Sequence, residues 1–486
     1  MSVNDTRLLL FFVSYGDIEM DFIIDQEIIS GYTTDASNTT GFADALLRPK
    51  NTEELSQIVN MANQYQIPIT ITAKRTSTTG APVPQGGWLI SMEHFCRIHS
   101  LHEVDSGVIL GEYQKFTEAR GKMFPPDPTS RNECSIGGAI ACNASGARSF
   151  RYGPIRPWVD ALEVVFPNGE IQIINRQTPI PNELGGLNWS IPKVKTAAGY
   201  HPADNLLDLM IGQEGTLCII TRCWLRLIDV PQNILGMIVY FPSLEDCIVF
   251  VETSREGAKR YLQNNDDMNI EGVSSPYNPR ALEFFDHQSI ELIRKQVTDI
   301  PDCAQCGIFL EIEYDTDPNL ESWFELFDQS NALVDDIIVA EDDESREQLY
   351  TIRHAIPAGV NEIVISNGMP KVGTDFSVPD HALRDMMKIY QNVSMQNILF
   401  GHIGDNHLHM NLFPKNSNEL QQAKELYRNM ALQAVDLGGS VSAEHGIGKL
   451  KAQLLSDMMG EEVMQKYKII KAYFDPNAIL GRGTLL

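Results

Sequence analysis

Gly401-His402-Ile403-Gly404-Asp405-Asn406-His407-Leu408-His409-Met410-Asn411 places three of the chain's eleven histidines within a short span, a density that asks for a chemical reason. Ile398, Leu399 and Phe400 before it read as a strand, and Leu408, Met410 and Leu412 alternate with polar residues after it. Gly404-Asp405 between them suits a two-residue type II′ hairpin turn. That register sets His402 opposite His407, and strand alternation puts His407, His409 and Asn411 on one face. Imidazoles that converge on one polar surface have the geometry of a metal site. Downstream, Ser442-Ala443-Glu444-His445-Gly446-Ile447-Gly448 adds a carboxylate and an imidazole in a glycine-rich turn before a helical segment. Two histidines plus one carboxylate leave coordination positions open for a substrate oxygen. A single histidine in a polar turn more often just satisfies hydrogen bonds; the histidines taken with Glu444 point to a metal.

Working outward, 486 residues exceed what one hydrophobic core organises and predict two or three domains. Hydrophobic residues at 43% and charged residues at 21% describe an ordinary soluble globular enzyme. The formal net charge of −26 argues against nucleic acid or an anionic membrane as the main partner, so a small anionic substrate needs a local basic pocket. The apolar run Leu8 to Val13 is followed by Asp17, Glu19 and Asp21, too short and too acidic for a signal peptide or a membrane span. It reads as a buried element start, and the expected location is the cytoplasm, with at most a peripheral membrane association. Eight scattered cysteines read as reduced thiols, and Cys303-Ala-Gln-Cys306 is too isolated to hold an iron-sulfur cluster.

Asn51-Thr52-Glu53-Glu54 caps a helix with Leu55, Ile58, Val59 and Ala62 on one face, and Ile67 to Thr72 follows as a strand. The next loop, Ala73-Lys74-Arg75-Thr76-Ser77-Thr78-Thr79-Gly80, offers the hydroxyls, backbone N–H groups and cations that a pyrophosphate needs, although a solvated loop looks similar. Rigid Phe124-Pro125-Pro126-Asp127-Pro128 leads into the small-residue segment from Ser135 to Gly146. Its glycines and alanines imply close backbone approach, either to a flat ligand or to other backbone. No GxGxxG follows a strand, so a Rossmann dinucleotide site is not supported. Val159 to Phe166, Pro167-Asn168-Gly169 and Glu170 to Ile174 form a hairpin, and Gly212-Gln213-Glu214-Gly215-Thr216 enters a strand ending near Leu227. After Asp229-Val230-Pro231 the chain mixes helices (244 to 262, 289 to 296) and strands (308 to 314) as an α+β domain does.

Together these segments resemble the FAD-linked oxidase family with the vanillyl-alcohol-oxidase type of flavin domain, in particular its D-2-hydroxy acid dehydrogenases. The resemblance runs from about Leu47 to Asp475 and rests on Arg75-Thr76-Ser77 with Gly80, Pro125-Pro126-Asp127-Pro128, and Ile136-Gly137-Gly138 with Asn143-Ala144-Ser145-Gly146. Gly212 with Glu214-Gly215-Thr216, the segment from Gly401 to Asp405 and the turn from Glu444 to Gly448 complete the ordered set. It implies an α+β fold with a two-subdomain FAD-binding domain over 1–228, an α+β cap domain over 229–396 and a C-terminal segment over 397–486 that returns to the active site. It implies FAD held by Lys74, Arg75, Thr76, Ser77, Gly80, Pro126, Asp127, Gly137, Gly138, Asn143, Ser145, Gly146, Tyr152, Glu214 and Ile220. It also implies a divalent metal (zinc, manganese or iron) on His402, His409 and Glu444. In that scheme Arg353 clamps the substrate carboxylate, with Lys371 and Asn411 on the substrate side, and His445 is the active-site base.

Two departures stand out. Ala73 and Lys74 replace glycines usual in the flavin loop, and Asn406-His407 replaces the commoner Gly-Asn, which makes His407 either an outer partner of the metal or a substitute ligand. The resemblance implies oxidation of a small anionic D-2-hydroxy acid, such as lactate, glycolate or 2-hydroxyglutarate. Electrons would pass to a quinone, an electron-transfer flavoprotein or an iron-sulfur subunit, and a homodimer is compatible with the sequence. Two alternatives stay open: a flavin-dependent non-redox transferase of the alkyl-dihydroxyacetonephosphate synthase type, and a flavin-binding subunit of a larger oxidase complex.

Overall fold

The computed structural model describes residues 22–258, 276–295 and 300–486. The apolar run at 8–13 lies outside the described residues, as do 259–262 and Gln296; the helices expected at 244–262 and 289–296 end at Arg255 and Ile293.

Asn51 caps the helix Thr52–Tyr65, its side chain accepting from Glu54 N, and Leu55, Ile58, Val59 and Ala62 are buried. They pack on a parallel sheet ordered Ala45–Leu47, Trp88–Ser91, Ile69–Thr72. The last of these strands starts two residues later than its alternation suggests, because Ile67 N turns back to Ala62 O (2.8 Å) and closes the helix. Beside this sheet, Glu103–Asp105, Ile219–Leu225, Val159–Val165 and Ile171–Asn175 form an antiparallel sheet. Its last two strands are the hairpin expected around Pro167-Asn168-Gly169.

The third sheet is antiparallel, has eight strands and carries the histidines. Ile338–Ala340, Asn233–Phe241, Cys306–Tyr314, Pro279–Asp286, Asn397–His402, His407–Leu412 and Val372–Gly373 follow one another, and Phe376–Ser377 also pairs with His407–Leu412. Phe284 pairs with Gly401, so residues 397–412 share a sheet with 233–314 across the boundary drawn at 397. His402 pairs with His407 as expected. The connection differs from the expected type II′ turn: Ile403–Asp405 makes a turn of 3₁₀ helix, and Asn406, at φ 51°, takes the left-handed conformation. The reason is tertiary. A Cβ on Gly404 would lie 3.1 Å from the Phe150 ring, while Asn406 accepts from Arg255 Nη1 (2.5 Å) and donates to Asp380 Oδ1 (2.8 Å). Beyond the hairpin, the helix Ala452–Phe474, kinked at Gly460, returns the chain to the first sheet, where Ile69 N donates to Ile479 O.

One face of the eight-stranded sheet is polar although it is buried. Arg280, 1% exposed, donates from Nε to Glu311 Oε2 (2.8 Å) and from Nη1 to Glu313 Oε1 (3.0 Å). Tyr350 donates to Glu311 from the helix Asp343–Asn367, and Tyr152 donates to Glu313 (2.6 Å) from the short helix Ser149–Tyr152. Arg151 Nε lies 3.3 Å from Glu313 Oε2 and Arg148 Nε 3.3 Å from Asp127 Oδ2. Cations and carboxylates taken out of water are tolerable only as a compensated set. Arg280→Ala should therefore cost about 3–5 kcal/mol, the usual penalty for leaving a buried charge unpaired. Urea unfolding at neutral pH measures it; a loss below about 1 kcal/mol would mean that water or a rearrangement neutralises Glu311 and Glu313.

Candidate active site

The hairpin and the turn after Ser442 bring His402, His407, His409 and Glu444 together, with one donor atom from each within 4.8 Å of the others. Glu444 Oε2 lies 3.4 Å from His402 Nε2, and Oε1 lies 3.5 Å from His409 Nε2. The far ring nitrogens are engaged: His402 Nδ1 meets Glu283 Oε1 at 2.5 Å and His409 Nδ1 meets the Thr374 carbonyl at 3.1 Å. Each outer acceptor fixes a proton on its nitrogen and turns the other nitrogen toward Glu444, the arrangement that metal-binding histidines require. Burial pulls His402 down, but the Glu283 carboxylate prevails and holds it up at about 9, so without a metal this ring keeps a second proton, whose place on Nε2 a divalent ion would take. Burial opposes ionisation of Glu444, yet Lys195 and His402 hold it well below the usual carboxylate range. These residues fit a divalent ion by their chemistry: N and O donors, each backed by a second acceptor or cation.

The turn carrying Glu444 and His445 is held from two sides. Asp375, 1% exposed, accepts from Ser442 Oγ (2.7 Å), Glu444 N (3.2 Å), His445 N (3.1 Å) and Lys451 Nζ (2.7 Å). Burial disfavours its charge, but His445 and Lys451 keep it well below the ordinary aspartate value. From the other side Glu214 accepts from Ile447 N and Gly448 N, both at 2.8 Å. A Cβ on Gly446 would lie 2.9 Å from that carboxylate, which is why glycine stands there at φ 74°. His445 stacks on His409 with ring centroids 5.4 Å apart and keeps 35% of its side chain exposed. Desolvation lowers it to about 4 against the pull of Asp375, which leaves a neutral imidazole able to accept a proton.

Of the substrate-side residues, Lys371 and Asn411 meet, Nζ to Oδ1 at 2.5 Å, while Asn411 Nδ2 is buried without a partner. Arg353 reaches the site through Glu283, donating to Oε2 from Nε (3.2 Å) and Nη2 (2.8 Å); Nη1 takes no part in that pair. Sequence reasoning missed Glu283, Asp375 and Lys195. A glutamate inside the apolar run Ala281-Leu282-Glu283-Phe284-Phe285 is a readable anomaly. Nothing local marks Lys195, whose buried Nζ lies 3.1 Å from Glu444 Oε2 and 3.7 Å from Asp405 Oδ2.

The residues expected to hold FAD fall into two groups. Lys74, Arg75, Thr76, Ser77 and Gly80 form one loop after the strand Ile69–Thr72, and the non-glycine residue with positive φ there is Arg75 (φ 57°), its guanidinium 4.9 Å from the Tyr32 ring centroid. Gly138 is exposed, and Ser145 Oγ reaches Glu444 Oε2 at 3.5 Å. The others make internal contacts. Gly137 packs on Ser106 and Gly146 on the Asp127 carbonyl, where a Cβ would come within 2.5 and 2.0 Å. Pro126 accepts from Gln114 (2.8 Å), Asp127 lies beside Arg148, Tyr152 points to Glu313, Ile220 is buried in its strand and Glu214 holds the 446–448 turn. Thr72 Oγ1, just before the loop, Ser106 Oγ, of the residue that Gly137 packs on, and Asn143 Oδ1 are buried without partners. Buried polar atoms left bare are costly, and a cofactor lying there would satisfy them, so these residues fit FAD.

Residues 43–175 match the family model described as FAD binding domain, and residues 271–485 that of FAD linked oxidases, C-terminal domain. The fold and the site thus define a flavoenzyme, and the chain belongs to the FAD-linked oxidase family. It is 27% identical to a D-lactate dehydrogenase of Anaerostipes hadrus, over 95% of this chain and 94% of the relative. It is 25% identical to the glycolate oxidase subunit GlcD of Bacillus subtilis (91% and 88% covered) and 25% identical to a D-2-hydroxyglutarate dehydrogenase of Stutzerimonas stutzeri (91% and 90%). A solved alkyldihydroxyacetonephosphate synthase shares the fold, with a TM-score of 0.67 at 17% identity, covering 98% of this chain and 84% of that one. Among the described residues, no helix is long and apolar enough to cross a membrane.

Burial raises the Glu214 carboxyl to about 7 from an ordinary 4.5, against the two N–H donors and Lys451. The folded value exceeds the unfolded one, so the stability that this proton contributes is complete below about pH 4.5 and lost as the pH rises through about 7. Glu214→Gln, which cannot ionise, should gain on the wild type by up to roughly 3 kcal/mol as the pH goes from about 5 to 8. Paired unfolding curves across that range check this; a constant difference would show that Glu214 is not the titrating group.

Proposed function

We propose that this enzyme oxidises a small D-2-hydroxy acid to the 2-oxo acid. The observation that carries the reading is the partly exposed imidazole of His445 stacked on His409, beside donors that suit a divalent ion. FAD, when bound, supplies the hydride acceptor, and a divalent ion on His402, His409 and Glu444 supplies Lewis acidity toward a substrate oxygen. His445 accepts the proton of the substrate hydroxyl at a ring nitrogen, and Asp375, beside its Nδ1 at 3.4 Å, steadies the imidazolium that results. Lys371 Nζ and Arg353 supply the local positive charge that a carboxylate needs in a chain of net charge −26. Asn411, with its unpartnered Nδ2, offers a donor to a substrate oxygen.

The names of the relatives, which act on D-lactate, glycolate and D-2-hydroxyglutarate, support the substrate class. The likeness to the synthase is one of fold alone and favours no different chemistry.

The test is the visible spectrum of the purified protein, followed anaerobically while D- and L-lactate, glycolate, malate and D-2-hydroxyglutarate are added one at a time. Bleaching of the flavin band by a D-2-hydroxy acid but not by its L enantiomer is the expected result; an oxidised flavin in the presence of all of them would overturn the reading. His445→Asn should keep its flavin and lose about 10²-fold or more in the rate of flavin reduction, the usual contribution of a general base. An unaltered rate would take His445 out of the reaction.

A further inference from the structure

We infer that His407 binds the divalent ion directly. The chain then offers four protein donors, His402, His407, His409 and Glu444, and selects an imidazole-seeking metal such as zinc over an oxygen-seeking one such as manganese. This rests on the reading of the site as metal-binding and goes beyond it in the number and kind of donors. The pairing that sets His407 opposite His402 also leaves it on the face of His409, and its ring centroid lies 5.2 Å from the first ring and 4.4 Å from the second. Its Nδ1 is 3.9 Å from Glu444 Oε2.

An independent observation points the same way. His407 is 0% exposed, yet neither ring nitrogen has a hydrogen-bond partner of good alignment. Asp375 Oδ1, 3.0 Å from Nε2, is the acceptor that places the proton there and leaves Nδ1 without one, 3.9 Å from Glu444 Oε2. A histidine kept only for packing would be left with a bare buried nitrogen, which costs about 1–3 kcal/mol; a metal ligand would not. Asp375 is a poor candidate to ligate in its place or to share a second ion with His409 and His445. Its oxygens already accept from Ser442, Lys451 and two backbone N–H groups. Three imidazoles and one carboxylate favour zinc, iron or copper, whereas manganese and magnesium favour oxygen donors. Four protein donors satisfy a four-coordinate ion, so a substrate oxygen would enter as a fifth ligand, as catalytic zinc allows.

Position 407 holds asparagine in the commoner pattern, which supplies the natural variant. The flavin-loaded wild type, His407→Asn and His407→Cys would be stripped with chelator and titrated with Zn(II), Mn(II) and Co(II), with flavin content as the check on folding. Direct ligation predicts that His407→Asn weakens Zn(II) by more than about 100-fold, beyond the 10–100-fold loss typical of an outer partner, while Mn(II) weakens far less. It also predicts a thiolate-to-cobalt charge-transfer band in His407→Cys, read as a difference spectrum against the Zn(II)-loaded protein. Zn(II) affinity within about 10-fold of the wild type in His407→Asn, with no such band in His407→Cys, would overturn the inference and leave the metal reading standing. A wild type that takes up none of the three ions would overturn both.

Discussion

The active site depends on how one buried carboxylate is compensated. Asp375 lies in the link between the short strands Val372–Gly373 and Phe376–Ser377 at the edge of the eight-stranded sheet, and its two oxygens hold the backbone of Glu444 and His445, the Ser442 hydroxyl and the Lys451 ammonium. An unpaired charge so deeply buried would be prohibitive, so the turn has no low-energy alternative to the conformation that meets these donors. Glu444 and His445 are thereby pre-set against the histidine hairpin. Glu214 repeats the device from the other side of the turn with two more backbone N–H groups.

The same logic spreads along the sheet. Glu283 joins His402 to Arg353, and Glu311 and Glu313 join Arg280 to Tyr350, Tyr152 and Arg151. Because Tyr152 and Arg151 come from the flavin domain and Tyr350 and Arg353 from the helix Asp343–Asn367, this ionic seam sets the sheet against both. A strongly acidic chain thus keeps a line of arginines inside, each matched by a buried carboxylate.

Much of this was readable locally. The capped helix at 52–65, the 159–175 hairpin and the facing of His402 with His407 each follow from periodicities of two or 3.6 residues and from turn chemistry within about ten positions. The turn between the histidines was misread because its shape is imposed by Phe150, Arg255 and Asp380, which no local rule can supply. Several residues assigned to the flavin by resemblance, among them Gly137, Gly146, Tyr152 and Glu214, make contacts within the protein. A glycine needed beside backbone and one needed beside a ligand look identical in sequence.

By itself the sequence determined the residue types of the site and their spacing along single elements: three imidazoles on adjacent strands, a Glu-His pair in a glycine turn and a hydroxyl-rich loop after a strand. Local sterics and hydrogen bonding decide such features over a few residues. Only the tertiary structure decided which nitrogen of each histidine faces Glu444, that Arg353 pairs with Glu283, that Lys195 lies beside Glu444 and that His407 comes close to Glu444. Glu283 and His402 are 119 residues apart, and Lys195 reaches Glu444 from far earlier in the chain. The chemistry of those atoms is set by partners that folding brings together.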